Sequence, residues 1–194
     1  MYIDKQFKLW KACEKDEMRP AFNYIHFKNG FAYASNARIL AKVEFSAIFC
    51  GEMDEVEELK HLLDGYAVSA AAWKFLVSLD FLNVKAEGDK KQFFEGMIAN
   101  NIVRVYTEKS GVLNAPKFES LFTTSEEKKP ISKVGISPSL LADLSDALGL
   151  SSIRMDFLQA DKKIFIHNSG TKMYNCSGII MPQIITEFLP GFDD

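Results

Sequence analysis

Residues 22–45, FNYIHFKNGFAYASNARILAKVEF, read as strand, tight turn, strand, strand. Phe22, Tyr24 and His26 alternate with Asn23, Ile25 and Phe27, the two-residue period of a strand built from aromatic and β-branched side chains. Asn29-Gly30 follows, the strongest short hairpin-turn signal in the chain, because the favoured two-residue turn needs positive φ at both positions. Residues 31–35 (FAYAS) and 39–45 (ILAKVEF) supply two more strand-like runs.

Upstream of this block, residues 5–15 (KQFKLWKACEK) predict an amphipathic helix. At helical spacing Phe7, Trp10 and Cys13 share one arc, with Leu9 at its margin, and Lys5, Lys8, Lys11 and Lys15 fall opposite. Tyr2-Ile3 is a short strand candidate before it, and residues 17–20 break the helix. Downstream, 53–64 (MDEVEELKHLLD) predicts a charged helix ending at Gly65. The opening order then returns. Tyr66 to Val68 form a strand, Ser69 caps a helix through AAAWKFLVSL, and strands follow at 81–87, 92–99 and 102–108, with a turn at Gly88-Asp89.

Residues 109–133 are the least regular part, with Gly111, Pro116, Pro130 and the charged run SEEKK at 125–129, and they predict a linker or crossing. A third round follows it. Val134 to Ile136 form a short strand, Ser137-Pro138 starts a helix that stops at Gly149, and strands are expected at 152–158, 163–167 and 177–181. The theme is strand–helix–strand–strand–strand, each copy roughly 50 residues long, a period large enough to define a fold.

Composition bounds the function. The 194 residues hold 47% hydrophobic and 25% charged side chains, an ordinary supply for a packed core, and 16 Phe suit a β-containing one. The formal net charge of −3 offers no global basicity, so any DNA contact must come from a local patch. Cys13, Cys50 and Cys176 are odd in number and widely spaced, so neither a disulfide framework nor a zinc knuckle is indicated, and reduced thiols are expected. MYIDKQFKLW has no apolar run for a signal peptide, and no stretch approaches the roughly 20 apolar residues of a membrane span. A cytoplasmic protein is the expectation. His26, His61 and His167 lack HxxxH or HxH spacing, and no GxSxG, GxxxxGK[ST] or GxGxxG occurs. No catalytic residue, metal site or cofactor is assigned. Cys13, on the apolar face, is expected to be buried and inert.

Four segments together resemble the bacterial DNA polymerase III beta subunit, the DNA sliding clamp. Residues 31–41, FAYASNARILA, look like the family's "ATDGHRLA" segment after its second strand. Residues 114–122, NAPKFESLF, resemble "G-x-FPD-x-x-x-LIP", which ends one domain and leads to the next. Residues 136–155, ISPSLLADLSDALGLSSIRM, resemble the helix of the last repeat, and 178–185, GIIMPQII, the terminal strand "Y-V-V-M-P-M-R-L". In that family two units of the repeating theme make one domain.

The resemblance implies an α+β fold of antiparallel sheets backed by helices, with a complete two-unit domain at residues 1–123 and half a domain at 124–194. It implies a DNA-replication processivity scaffold, without chemistry of its own, that tethers polymerase or repair partners through a hydrophobic peptide groove. One wall would be Ser35, Ala37, Arg38, Ile39 and Leu40, and the other Ile180, Met181, Pro182, Gln183 and Ile184. Two departures stand out. The family's His-Arg-Leu is Arg38-Ile39-Leu40 here, and the second Met of Met-Pro-Met is Gln183. The chain also continues past the family's last strand to Asp194, where Phe188, Leu189 and Phe192 are candidates to lie over the groove. DNA contacts would fall to Lys5, Lys8, Lys11, Lys15 and Lys74, whose ordinary alternative is a solvated face. The helix at 138–148 brings Asp143 and Asp146 and no cation, which argues against encirclement of double-stranded DNA. A homo-oligomeric ring is implied by the family, with closure altered or lost by the missing half-domain. The alternatives are a clamp-derived protein-interaction module that does not encircle DNA and, from another class, a small metal-dependent or hydrolytic enzyme on an unrelated α+β fold.

Overall fold

The computed structural model describes residues 1–15, 19–87, 91–98, 100–122, 134–159, 162–168 and 176–183. The expected turn at Gly88-Asp89, the SEEKK run, the boundary at 123/124, Ile184 and Phe188, Leu189 and Phe192 lie outside the described residues.

The hairpin block forms as its alternation requires from Tyr24 onward, while Phe22 and Asn23, expected in the first strand, end a 3-10 turn at Pro20–Asn23. Strand β1 (Tyr2–Ile3) precedes β2 (Tyr24–Lys28), β3 (Phe31–Ser35) and β4 (Ile39–Glu44). Asn29 and Gly30 sit at φ 51° and 75°, the two positive values that a turn of this hand needs. Next come α1 (Phe45–Ile48), β5 (Phe49–Cys50), α2 (Met53–Leu62), β6 (Tyr66–Ser69) and α3 (Ala70–Leu76). Strands β7 (Leu82–Glu87), β8 (Lys91–Ile98), β9 (Asn101–Tyr106) and β10 (Glu108–Lys109) follow. The last described elements are α4 (Phe118–Phe122), α5 (Pro138–Ala147), β11 (Ile153–Asp156), β12 (Ile164–Asn168) and β13 (Cys176–Ile180). Both expected serine caps are present: Ser69 Oγ accepts from Ala72 N at 3.2 Å and Ser137 Oγ from Leu140 N at 3.5 Å.

Eight strands form one antiparallel sheet in the order β10-β6-β2-β3-β4-β13-β12-β11, while β7-β8-β9 make a second sheet and β1-β5 a two-stranded ribbon. The decisive pairing is β13 with β4, which sets Ile180 opposite Ile39, Ile179 opposite Leu40 and Gly178 opposite Ala41. The last described strand therefore borders the first hairpin block, as the resemblance implied.

Alternation splits the large sheet into two faces. Ile25 and Phe27, Ala32 and Ala34, Ile39, Ala41 and Val43, Ile164 and Ile166, and Cys176 and Ile180 face the main core. There Phe27 touches Phe45, Trp73 and Phe94 at ring separations of 5.7, 5.8 and 6.1 Å. Helix α5 lies directly on β13. A Cβ at Gly178 would stand 2.9 Å from Leu144 and Leu148 methyls, so only hydrogen fits there. The opposite face carries Tyr33, Leu40, Phe165 and Ile179, which form a smaller cluster with Phe118 and Leu158.

Several expectations are corrected. Residues 5–15 are not an α-helix. They hold one 3-10 turn at Leu9–Lys11, with Leu9 buried rather than marginal and Trp10 only half-buried. An isolated helix this short is marginal, so tertiary partners win: Phe7 N donates to Asp4 O and Lys8 N to Asp146 O, both at 3.2 Å. The Val134–Ile136 strand reduces to a single bridge between Gly135 and Gln183. The helix expected through residue 79 ends at Leu76, and the run 102–108 divides into β9 and β10. Helices α1 and α4 and strand β5 were not foreseen, because one turn or one residue pair leaves no measurable period.

Candidate functional site

The link between β3 and β4 is a self-bonded loop. Asn36 Oδ1 accepts from Arg38 N and Ile39 N, each at 3.0 Å. Ser35 Oγ donates to Ile39 O at 2.7 Å and accepts from Ala37 N at 3.1 Å. Ala37 is forced to φ 69°, a left-handed value that side-chain-bearing residues avoid. With the loop's own polar groups satisfied, the Arg38 side chain is exposed, and its guanidinium has no hydrogen-bond or ion-pair partner among the described residues. Met181 N donates to Arg38 O at 2.9 Å, carrying the β13–β4 pairing one residue further.

A cavity of about 220 Å³ opens at this junction, on the face of the sheet away from the main core. Ser35, Ala37, Arg38, Ile39 and Leu40 line one side, with Ile179 and Met181 from β13 and the residue after it. Phe22, Pro116, Phe118, Leu121 and Lys163 complete it. Most of the lining is apolar, and its charged members, Arg38 and Lys163, are both cationic.

Of the expected groove residues, the structure thus brings together Ser35, Ala37, Arg38, Ile39, Leu40 and Met181. Ile180 is a correction. The strand period turns it into the main core, fully buried, and presents its neighbour Ile179 instead. Pro182 and Gln183 lie beyond the lining, and Gln183 N donates to Gly135 O at 2.9 Å. Sequence reasoning missed Phe22, Pro116, Phe118, Leu121, Lys163 and Ile179. Only Ile179 had an available signal, its alternation with Ile180. The segment 114–122 had been matched to the family without a site role.

Phe118 anchors the outer wall. It stacks on Tyr33 with ring centres 5.8 Å apart and planes 12° apart, and tilts against His26 at 5.4 Å. His26 is buried. Its Nε2 donates to Ala21 O at 2.7 Å, while Nδ1 meets Ser110 Oγ at 2.9 Å. Burial lowers the His26 pKa, and the Ala21 carbonyl opposes that shift in part. Burial, then the nearby Glu119 carboxylate, raises that of Tyr33. Lys163 Nζ donates to Leu121 O at 2.6 Å, tying the outer wall to the approach to β12.

The expected DNA-contacting lysines do not share one helical face, because the helix that would align them is absent. Lys5 lies 3.4 Å from Asp80, Lys8 3.6 Å from Asp146, and Lys11 3.9 Å from both Asp143 and Asp146. Lys15 and Lys74 are exposed. Cys13 is buried, and burial pushes its thiol up to about 12, away from nucleophile chemistry. Among the described residues no group of three or more His, Cys, Asp or Glu could hold a metal ion. No helix among them is long and apolar enough to cross a membrane.

The fold matches solved structures over nearly the whole chain. The Helicobacter pylori beta clamp in complex with 3,4-difluorobenzamide aligns with 94% of the chain and 65% of its own, at TM-score 0.60 and 12% identity. The fold is that of a bacterial DNA sliding clamp. The beta chain of DNA polymerase III from Streptococcus pneumoniae is similar at TM-score 0.57 and 12% identity, covering 92% of this chain and 61% of that one. The Helicobacter pylori clamp bound to a DNA ligase peptide gives TM-score 0.55 and 12% identity, with 91% and 61% covered. The chain therefore spans less than two thirds of the length of these clamps. No protein-family model matches it, and no curated protein sequence does.

Proposed function

We propose that the protein is a scaffold of the sliding-clamp type, which tethers polymerase or repair partners by seating a short apolar peptide in the groove between the β3–β4 loop and the chain following β13. One observation carries this reading: two stretches some 140 residues apart, each similar to a clamp segment, meet to form one apolar cavity with an arginine at its rim that has no partner among the described residues. Apolar floor, exposed Met181 and a few polar anchors at the edge suit a peptide with two or three large side chains. A solved clamp of the same fold holds a DNA ligase peptide. In this reading residues 1–123 form a complete two-unit domain and 124–194 half of another, and the scaffold has no chemistry of its own.

The test is an anisotropy titration of a labelled DNA ligase peptide against the full chain and against Leu121→Glu and Met181→Glu. Both positions are exposed, so the fold should survive, and each change should weaken binding at least about tenfold. Unchanged affinity in both variants would discard the groove.

A second reading, an interaction module that does not encircle DNA, is favoured by the ion pairs of Lys5, Lys8 and Lys11. A lysine already facing carboxylates releases fewer counterions on meeting phosphate. This reading expects little retention on double-stranded DNA even at low salt. Strong retention that fades steeply as salt rises would restore the DNA-bound clamp.

A further inference from the structure

We infer that the chain's own segment 184–194, IITEFLPGFDD, is the resident occupant of the groove, so that partners bind only by displacing it. The inference rests on the groove reading above and adds its regulation. Three observations converge. First, the chain passes along the groove wall at Met181 and is described to Gln183, immediately before this segment. Phe188 follows Met181 by seven residues, a reach of up to about 24 Å at 3.3–3.6 Å per residue. Second, the segment carries Phe188, Leu189 and Phe192, large apolar side chains of the kind the cavity lining of Leu40, Ile179 and Phe118 would accept. Third, its charges are complementary. Glu187, Asp193 and Asp194 are acidic and it holds no Lys or Arg, whereas the lining holds Arg38 and Lys163 and no acid. Pro190-Gly191 supplies turn chemistry that lets Phe192 return toward the site of Phe188.

Tethering makes such a segment effective without high intrinsic affinity. A short linker holds it at an effective concentration of order millimolar, so a segment whose intrinsic dissociation constant is near 100 µM imposes roughly tenfold competition on any free peptide. Weak partners are excluded and strong or locally concentrated ones admitted.

The test compares the full chain with its Phe188→Ala/Leu189→Ala/Phe192→Ala variant, using labelled TEFLPGFDD and the labelled DNA ligase peptide as separate probes. The triple variant should take up both probes about tenfold more tightly than the unaltered chain. Adding Arg38→Glu to it should weaken TEFLPGFDD by a similar factor. Equal affinity of the two proteins for both probes overturns self-occupancy and leaves the groove standing. Failure of the triple variant to take TEFLPGFDD while it binds the ligase peptide does the same. Failure to bind either probe overturns the groove itself. A block that strengthens with protein concentration would also overturn the inference, since it would assign the occupant to a second copy.

Discussion

The two faces of the eight-stranded sheet are built from the same strands and differ in how they are closed. On the inner face small and branched residues, Ala32, Ala34, Ala41, Val43 and Ile166, join the main core, and α5 approaches until no Cβ fits at Gly178. On the outer face stand aromatic and cationic side chains, with Lys42 Nζ 4.1 Å above the Phe31 ring and Tyr33 under Phe118. The described cover there includes one short helix and the irregular chain leading to it, and a cavity stays open at their end. A dense face sets stability; a face with partial cover leaves apolar surface for another chain.

This contrast predicts a graded set of outcomes. Phe27→Ala on the inner face removes the hub of an aromatic cluster and should cost about 3–5 kcal/mol in urea unfolding. If it costs no more than Leu121→Ala outside, the division between the faces fails. Gly178→Val should cost about 1–3 kcal/mol by overpacking α5 against β13. Lys8→Ala, which breaks a half-exposed ion pair, should change stability by less than about 1 kcal/mol.

The histidine between the outer face and its cover sharpens the comparison through pH. Because burial lowers the folded-state pKa of His26, the unfolded chain binds a proton at higher pH than the folded chain does. Its contribution to stability is complete above the ordinary histidine range and is lost as pH falls through that range toward the folded value. Urea midpoints at about pH 7.5 and about pH 5 should therefore fall further for the unaltered protein than for His26→Gln. Equal falls would show that His26 titrates alike in both states. A small effect of opposite sign is expected at Ala37, whose φ of 69° suits glycine. Ala37→Gly should stabilise by roughly 0.5–1 kcal/mol in the same assay.

Local chemistry was legible wherever it had a period or a dedicated residue. The hairpin at Asn29-Gly30, the caps at Ser69 and Ser137 and the helix stops at Gly65 and Gly149 all stand where the residues put them, the two glycines at φ 78° and 62°. About half of the groove was legible too, through resemblance, because its walls lie on a loop and a strand end that keep a family-like pattern. Pro116, Phe118 and Leu121 were not, since they belong to a segment with no period of its own, and Phe22 and Lys163 were not, since an expected strand end does not say which distant loop it will face.

What the sequence determined by itself is the set of strands, their turns and which of their residues share a face, because backbone sterics and a two-residue alternation act within a few positions. Tertiary structure alone decided that residues 5–15 unwind to meet Asp143 and Asp146 and that Phe118, Leu121 and Lys163 gather at the groove, and it set the residue-by-residue register of β13 on β4 that resemblance only implied. Strand partners are selected by the free energy of burying both faces of a whole sheet at once, and no local pattern carries that sum.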